Sequence, residues 1–403
     1  MRPPGPKWPD PLNDSTTPGR RDRDAGGTAS LRQRLPLFVG GFLGPFGTIV
    51  LLPMYPELRE EFNATNAEVN LAFSFYLIPF ALVLIVSGTL GERWGRRRTI
   101  QITYVLFALA SIAAAAAPNL PLLVAARALQ GIANAFITPL LIAGLAELVP
   151  PERFGREVGI YSSFQALGGG LGPVVGGLAA DTNWRLAFVG TAAVCVVLAF
   201  FPPTGEPRPS GELPSFRRLF ERRLLVPGVA FFLLAAGPIG IGVVVAIGAR
   251  DVFELSGTGA GAVLLFGTLS ALVLGPFWGR VVDRLGTARS AVLSVAAVSC
   301  ACLAMTLAQG AFSLGALWAL AAGLSALTVV VFQALGADML PENRGGGLSF
   351  LLAFRFLGHA IGPLVLVPLV DRSLDVALLL AAALGLLALG LVGLQLRTAP
   401  STA

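Results

Sequence analysis

The sequence is poor in the side chains on which most enzymes and nucleic-acid-binding proteins depend. Charged residues make up 13% of the 403 residues, Lys7 is the single lysine and His359 is the single histidine. The three cysteines, Cys195, Cys300 and Cys302, lie in apolar segments and show neither a disulfide framework nor metal-ligand spacing. A glycine-rich phosphate-binding loop ending in Lys-Ser or Lys-Thr is also absent. We therefore expect no enzymatic activity, no cofactor and no metal site.

Apolar residues are abundant instead. Hydrophobic types account for 55% of the chain, and the mean hydropathy is +0.75, which is typical of a polytopic membrane protein. Most of the apolar runs reach the roughly 20 residues that a spanning helix needs. The sequence thus predicts an all-α membrane protein with twelve transmembrane helices, at about residues 35–55, 70–91, 99–117, 121–147, 157–180, 185–203, 225–249, 259–282, 288–308, 312–338, 347–370 and 374–396.

The segments outside these spans divide the chain. Residues 1–34 are rich in Pro, Gly, Asp and Arg, and we expect a disordered cytoplasmic tail without a signal peptide. Residues 204–224 are predicted to form a cytoplasmic linker with a short interfacial helix. This linker would separate an N-terminal six-helix half at 35–203 from a C-terminal six-helix half at 225–397, and residues 398–403 would be a second cytoplasmic tail.

The arginines are distributed unevenly between the two sides of the predicted membrane. Of the 29 basic residues, Arg127 and Arg355 lie within spans. The loops of one side hold only Arg59, Arg185, Arg250 and Arg372. The others lie in the N-terminal tail and in the alternate loops, so the positive-inside rule makes both termini cytoplasmic. The net charge of +6 then reflects topology in the inner (plasma) membrane, with the lipid bilayer as partner and no nucleic acid.

Short motifs recur in the two halves at a spacing of 191 residues. The matching pairs are Gly88 and Gly279, Glu92 and Asp283, Arg93 and Arg284, Gly95 and Gly286, and Glu147 and Asp338. The second copy departs at Thr287, which stands where the first copy has Arg96. A shared spacing across separate motifs predicts two pseudo-symmetric halves with parallel topology.

The segment Gly159–Gly177 in span five is dense in glycine. Its named positions are Gly159, Gly168, Gly172, Pro173, Gly176 and Gly177. Three of the glycines are four residues apart and share one helix face, which allows another backbone to approach closely. The proline weakens the helix at the same place. We expect this face to slide between the halves, although the glycines alone would favour a plain helix-packing surface.

Polar side chains also occur inside two spans. Arg127, Gln130 and Asn134 share one face of span four, and an arginine in the membrane is costly unless it meets water or polar partners. We expect this stripe to line a wet cavity, the alternative being that carbonyls of a neighbouring helix bind the arginine. Arg355 and His359 lie one turn apart in span eleven. His359 is the candidate proton carrier because the ordinary pKa of histidine lies near working pH. The alternative is that local hydrogen bonds hold the imidazole in a structural role.

Three of these motifs resemble signatures of the major facilitator superfamily, and together they are similar to those of its twelve-helix drug:proton antiporters. Residues 88–98 resemble the cytoplasmic loop motif, with Glu92 where Asp is commoner. Arg127-Ala-Leu-Gln130-Gly131 resembles the span-four motif, and Gly159–Gly177 resembles the antiporter motif of helix five. The resemblance covers about residues 35–397 and implies a central substrate cavity between the halves.

The resemblance also implies a lock on the cytoplasmic side. Glu92 would cap the start of span eleven near Gly346, and Arg96 would pair with Glu147, holding that side shut in the outward-open state. Because Thr287 replaces the second arginine, the lock is expected to be one-sided. The candidate gating residues are Gly88, Glu92, Arg93, Gly95, Arg96, Glu147, Asp283, Arg284 and Asp338.

The expected function follows from the resemblance and from one gap in it. No Asp or Glu lies deep in a predicted span, whereas family members often carry an embedded acid in helix one. We expect a monomeric efflux transporter that exchanges a lipophilic small-molecule substrate for protons by alternating access. The alternatives are an uncoupled facilitator or an exporter of a metabolite such as a sugar or amino acid, and a receptor or scaffold that does not transport.

Overall fold

The computed structural model describes residues 30–203, 222–339 and 344–398, and this part is helical without β-strands. The helices of the first half are α1 (Leu31–Ile49), α2 (Tyr55–Phe62), α3 (Asn66–Trp94), α4 (Arg96–Ala115), α5 (Leu120–Leu148), α6 (Pro151–Ala180) and α7 (Arg185–Ala199). Those of the second half are α8 (Arg222–Ala236), α9 (Gly242–Ile247), α10 (Gly257–Leu285), α11 (Thr287–Ala304), α12 (Ala311–Met339), α13 (Arg344–Val370) and α14 (Leu374–Thr398).

The helices are those of a multi-pass membrane protein. Within the described residues, nine helical segments are long and apolar enough to cross a bilayer, and two shorter apolar helices and α6 occupy the other predicted positions. On α4, Ile102, Val105, Leu109 and Ile112 share a face and are each about half exposed. Such an apolar stripe suits contact with lipid better than contact with water. The predicted fold class, twelve spans in an all-α membrane protein, is confirmed.

Several predicted segment boundaries differ from the structure. Helix α1 begins at Leu31, inside the predicted tail, because Ser30 and Gln33 form a capping box at its start. Residues 1–29 of the tail, residues 204–221 of the linker with its proposed interfacial helix, and residues 399–403 lie outside the described part. We call the end of the bundle at which α1 begins and α14 ends the near end, and the opposite end the far end.

The two halves repeat the same packing. In the first half α1 packs on α6, α3 on α5 and α4 on α7; in the second half the equivalent pairs are α8 with α13, α10 with α12 and α11 with α14. Between the halves, α3 packs on α13 and α6 packs on α10. These two interfaces are themselves equivalent under the repeat, so the halves meet across a pseudo-two-fold axis.

The repeated loop motif has the same backbone geometry in both copies. Gly95 and Gly286 end α3 and α10 with φ angles of 93° and 78°. Glycine adopts these conformations without the steric cost that a Cβ would bring. Each glycine is followed at once by the next helix, which begins at Arg96 or at Thr287. The turn explains why the repeat retains glycine at this position.

Span seven is not the single helix that the apolar run at 225–249 predicts. Helix α8 ends at Ala236, residues 237–241 form turns, and the chain continues as α9 and a π-helical turn over Gly248–Val252. Pro238 has no N–H to donate, and a Cβ on Gly240 would overlap the carbonyl of Ala235. Hydropathy detects the run but not this break within it.

The glycine face of α6 packs within one half, which corrects the prediction that it slides between the halves. A Cβ on Gly168 would overlap the Phe42 carbonyl of α1, and one on Gly172 would lie 2.9 Å from Ile49 Cγ1. A Cβ on Gly176 would overlap the carbonyl of Val50, the residue that follows α1, whereas Gly159 has open space around its Cα. In the second half, Gly358 and Gly362 of α13 meet backbone carbonyls of α8 in the same way. The shared face of Gly168, Gly172 and Gly176, and its counterpart in the second half, therefore serve helix packing inside each half.

The contact between the halves lies beside this face. A Cβ on Gly177 would overlap the carbonyl of Gly257 at the start of α10, and one on Gly261 would overlap the carbonyl of Pro173. The backbones of α6 and α10 therefore touch directly over their far-end portions. Close backbone contact of this kind requires small residues on both helices.

Candidate functional site

The near end of the first half carries a buried ion-pair cluster. Arg96 is only 2% exposed, and its guanidinium binds two carboxylates. The distances are 2.6 and 2.9 Å to the Glu92 oxygens and 2.7 and 3.1 Å to the Glu147 oxygens. Bidentate arginine–carboxylate pairs are among the stronger polar contacts in proteins. The structure therefore joins α3, α4 and α5 through the residues that the family resemblance assigns to the lock.

The other loop-motif residues contribute less to this cluster. Gly88 faces Pro139 of α5, where a Cβ would lie 3.4 Å away, and Arg93 is exposed. In the second copy, Asp283 and Arg284 are exposed and form no ion pair with a described residue. Asp338 lies near the end of α12, but its side chain and the start of span eleven around Gly346 fall outside the described side chains. The proposed cap of Glu92 on that helix also falls there.

The arginine of span four is packed in the protein interior. Arg127 is 0% exposed; its Nη1 donates to Gly47 O and to Gln130 Oε1 at 2.8 Å each, and its Nε donates to Ala72 O at 3.3 Å. The guanidinium carbon lies 4.2 Å from the Tyr76 ring centroid. The prediction that this residue lines a wet cavity is wrong, because carbonyls of α1 and α3 bind it instead. The alternative that the sequence left open is the correct one.

The rest of the polar stripe is buried with it. Gln130 is 1% exposed and donates from Nε2 to Ser111 Oγ at 2.7 Å, which ties α5 to α4. Asn134 is 3% exposed and packs against Gly44 of α1, where a Cβ would lie 2.8 Å from its Oδ1. The stripe therefore holds α1, α3, α4 and α5 together and is closed to water.

The second embedded arginine has different surroundings. Arg355 and His359 are half-buried in the middle of α13, beside the contact between Phe356 and Phe80 of α3, whose ring centroids are 4.8 Å apart. His359 faces the break in span seven, where a Cβ on Gly240 would lie 3.2 Å from its Nδ1. Neither Arg355 nor His359 makes a hydrogen bond or ion pair with a described residue, and the Nε of Arg355 is buried without an acceptor. We call Arg355 and His359, with the aromatic contact of Phe356 and Phe80 beside them, the polar centre.

The far end carries polar contacts that cross between the halves, which we call the far-end network. Arg59 of α2 pairs with Asp251 at 2.9 Å. Asn66 Nδ2, at the start of α3, donates to Asp251 at 3.1 Å and to Asp371 at 2.7 Å. The remaining members are Glu57, Asp181, Arg250 and Thr258, with Arg250 paired to Glu57. The network therefore closes the bundle at this end.

Asp181 connects α6 to the N-terminus of α10 within this network. Its carboxylate accepts hydrogen bonds from the backbone N–H of Gly257 at 2.7 Å and of Thr258 at 2.8 Å, and from the Thr258 hydroxyl at 2.6 Å. Burial raises the pKa of Asp181, but the hydrogen bonds from Thr258 and Gly257 and the charge of Arg250 together bring it below the ordinary value. The ionised carboxylate stabilises the positive end of the α10 dipole.

Sequence reasoning missed the far-end network and one near-end pair. Arg34 of α1 binds Glu157 of α6 at 2.6 Å, and Glu157 is 4% exposed. The available signal was the position of charged residues next to span ends, as with Asp251 and Glu254 after span seven. That signal marks a boundary, but it does not identify partners such as Asn66 and Asp371, which are 305 residues apart.

Comparisons with known proteins agree with this architecture. A family model described as Major Facilitator Superfamily matches residues 37–363 and 227–403. Multidrug resistance protein MdtG of Proteus mirabilis is 25% identical over 351 residues, covering 82% of this chain and 87% of that protein. MFS antiporter QDR3 of Candida albicans is 29% identical over 167 residues, covering 40% of this chain but only 24% of that protein.

Solved structures match at the level of the fold. The nucleoside transporter NupG superposes with a TM-score of 0.76 at 13% sequence identity, covering 90% of this chain and 99% of that chain. Identity this low shows a shared helix arrangement and carries no information on substrate.

Proposed function

The chain belongs to the Major Facilitator Superfamily and is a membrane transporter, and we propose that it exports lipophilic small molecules in exchange for protons by alternating access. We further propose that it works as a monomer in the plasma membrane with both termini in the cytoplasm. Export is supported by the similarity to a multidrug resistance protein over 82% of the chain. Antiport is supported by the similarity of its glycine-rich span five to the antiporter motif.

One observation carries alternating access: polar contacts join the two halves at the far end, and a separate ion-pair cluster lies at the near end of the first half. At the far end, the contacts of Asp181 and Asn66 join the halves directly. At the near end, Arg96 gathers Glu92 and Glu147 within the first half. The far-end pair of Arg59 and Asp251 is partly exposed, and such ion pairs are individually weak, so the contacts between the halves can be exchanged for water at modest cost. With the orientation proposed above, the structure represents a state closed to the outside.

Proton coupling is assigned to His359 in this proposal. It is the single histidine, it lies at the polar centre, and it makes no hydrogen bond with a described residue. A neutral imidazole there can take up a proton, and the charge of Arg355 one turn away favours its release. The second candidate function is uncoupled facilitation. Every described carboxylate lies within about two helical turns of a helix end or in a connection, so none lies deep in the membrane where it could carry a proton.

The test is transport by the full chain in proteoliposomes with an imposed pH gradient. We expect protein-dependent accumulation of a lipophilic probe that follows the gradient, with ethidium as a cationic probe and 2-naphthoate as an anionic one. His359→Gln should keep probe flux and lose its dependence on the gradient. Flux that follows the gradient equally in this variant would place coupling elsewhere, and flux that never depends on pH would favour the facilitator. Absence of protein-dependent flux for every probe would count against transport.

A further inference from the structure

The two arginines inside the membrane, Arg127 and Arg355, differ in their hydrogen-bond partners. Arg127 has carbonyl oxygens and Gln130 as acceptors and is 0% exposed. Arg355, eleven residues into α13 and so about 16 Å from its start, has no acceptor among the described residues. Its polar contact is with a ring face, at 5.4 Å from the guanidinium carbon to the Phe356 centroid. A guanidinium has five donors, and here they remain open.

An arginine held this way has no evident role in folding. A cation in a membrane protein is costly unless it is paired or hydrogen-bonded, and Arg127 shows that this fold can satisfy one fully. On α13, Gly358 and Gly362 meet α8, and Phe356 meets Phe80 of α3. Helical spacing places Arg355, which is half-buried, on the face between these two contacts. That face borders the space between the halves. The open donors therefore point to a partner that arrives from outside the chain.

The surroundings define the chemistry of that partner. Phe80 of the first half and Phe356 of the second half supply aromatic side chains, and His359 supplies an imidazole one helical turn from Arg355. Carboxylates of the described residues lie at helix ends and in connections, so none is close enough to neutralise Arg355. Arg127 adds a second positive charge inside the first half without a carboxylate partner in the described part. The polar centre is therefore positive and partly aromatic.

We propose that the central site binds an amphipathic organic anion, with its carboxylate or sulfonate paired to Arg355 and its apolar body against Phe80 and Phe356. This proposal rests on the proposed transport function and names its substrate class. The planar guanidinium binds such oxyanions through two parallel hydrogen bonds, which an ammonium group cannot reproduce. A cationic substrate of the same shape would be repelled by Arg355 and would find no counter-charge at the site.

The test compares three probes that share a naphthalene body and carry an anionic, a neutral or a cationic head group: 2-naphthoate, 2-naphthalenemethanol and 2-naphthylmethylammonium. Binding to the purified full chain in nanodiscs is measured by equilibrium dialysis. We expect 2-naphthoate to bind about 10- to 100-fold more tightly than the ammonium probe, the range typical of a hydrogen-bonded charge pair. Arg355→Gln should remove most of that preference, and Arg355→Lys should restore part of it. Exposed Arg97, at the near end, gives the control variant Arg97→Gln, which should bind all three probes as the parent does.

Each result decides for or against the anion site. Equal affinities for the three probes, no saturable binding of 2-naphthoate, or an unchanged preference in Arg355→Gln would overturn it. Arg355→Gln is expected to fold, because it removes an unpaired cation, and its melting temperature should equal or exceed that of the parent. Proteoliposome flux separates the two proposals. Transport of the neutral or cationic probe without 2-naphthoate refutes the anion site alone, whereas specific anion binding without flux of any probe refutes the transport function.

Discussion

Replacing Asp181 by asparagine is expected to loosen the closure of the far end. The carboxylate accepts three hydrogen bonds from Gly257 and Thr258 at 2.6–2.8 Å through both oxygens. Asparagine retains the shape but loses the charge and one acceptor oxygen. Hydrogen bonds to a charged group contribute about 1.5–3 kcal/mol, neutral ones about 0.5–1.5, and a charge at a helix N-terminus adds about 0.3–1 kcal/mol. Because the side chain is 32% exposed, solvent screening reduces the difference to about 1–2 kcal/mol.

That difference corresponds to a roughly 5- to 30-fold larger population open at the far end. A reporter cysteine at Ala180, which is 8% exposed at the contact with Gly257, measures this population through its reaction with a membrane-impermeant maleimide. Exposed Cys300 is replaced by serine in all variants. Labelling from the far side should accelerate by that factor in Asp181→Asn. The control is Asp375→Asn, an exposed carboxylate at the same end without a hydrogen bond to a described residue.

The pH dependence follows from the lowered pKa of Asp181. A group whose pKa is lower in the closed state stabilises that state above its ordinary pKa, and the contribution is lost as pH falls through the lowered value. The difference in labelling rate between the parent and Asp181→Asn should therefore be constant from pH 8 to about 5 and shrink only below about 4. A difference that disappears between pH 7 and 5, or equal rates at neutral pH, would refute this account of the closure.

Three further outcomes are expected. Gly176→Leu should lower the melting temperature or prevent folding, because overpacking at the C-terminal end of α1 costs about 1–3 kcal/mol. Gly159→Ala, with open space around its Cα, should leave the melting temperature unchanged. Equal melting temperatures of the two variants would contradict the packing role of Gly176. Arg127→Gln should destabilise by about 1–3 kcal/mol in thermal unfolding, since it strands buried acceptors, and an unaffected melting temperature would argue against the carbonyl contacts. Glu92→Gln should weaken the contact of Glu92 with Arg96 and speed the labelling of a cavity cysteine from the near side. Unchanged labelling would indicate that the loop motif serves only to orient the chain in the membrane.

The sequence predicts those features that repeat along the chain. Spans follow from apolar runs, and the two halves follow from motifs such as Gly95 and Gly286, whose shared φ > 0 turn explains their spacing. The pairing of Arg96 with Glu147 was implied by the resemblance of the local loop motif to that of the family, and the structure contains it. In each case the information is local or periodic.

What the sequence does not predict is which helix covers a given face. The spacing of Gly168, Gly172 and Gly176 shows that they share a face, but their contact with α1 and not with the other half is a matter of tertiary packing. For the same reason the pattern around Arg127 cannot reveal the backbone carbonyls that bind it. Hydrogen-bond partners hundreds of residues apart, such as Asn66 and Asp371, carry no periodic signal at all.

The open arginine of α13 has a consequence for the response of the transporter to voltage. A monovalent anion that leaves a cell moves down the inside-negative membrane potential, and each 100 mV is worth about 2.3 kcal/mol, or an outward concentration ratio of roughly 50. An exporter of anions therefore has a driving force that requires no embedded carboxylate. When the anion pairs with Arg355, the loaded site is neutral and crosses without net charge. The empty site returns with its positive charge uncovered, drawn toward the negative interior, so the voltage dependence falls on the return of the unloaded transporter.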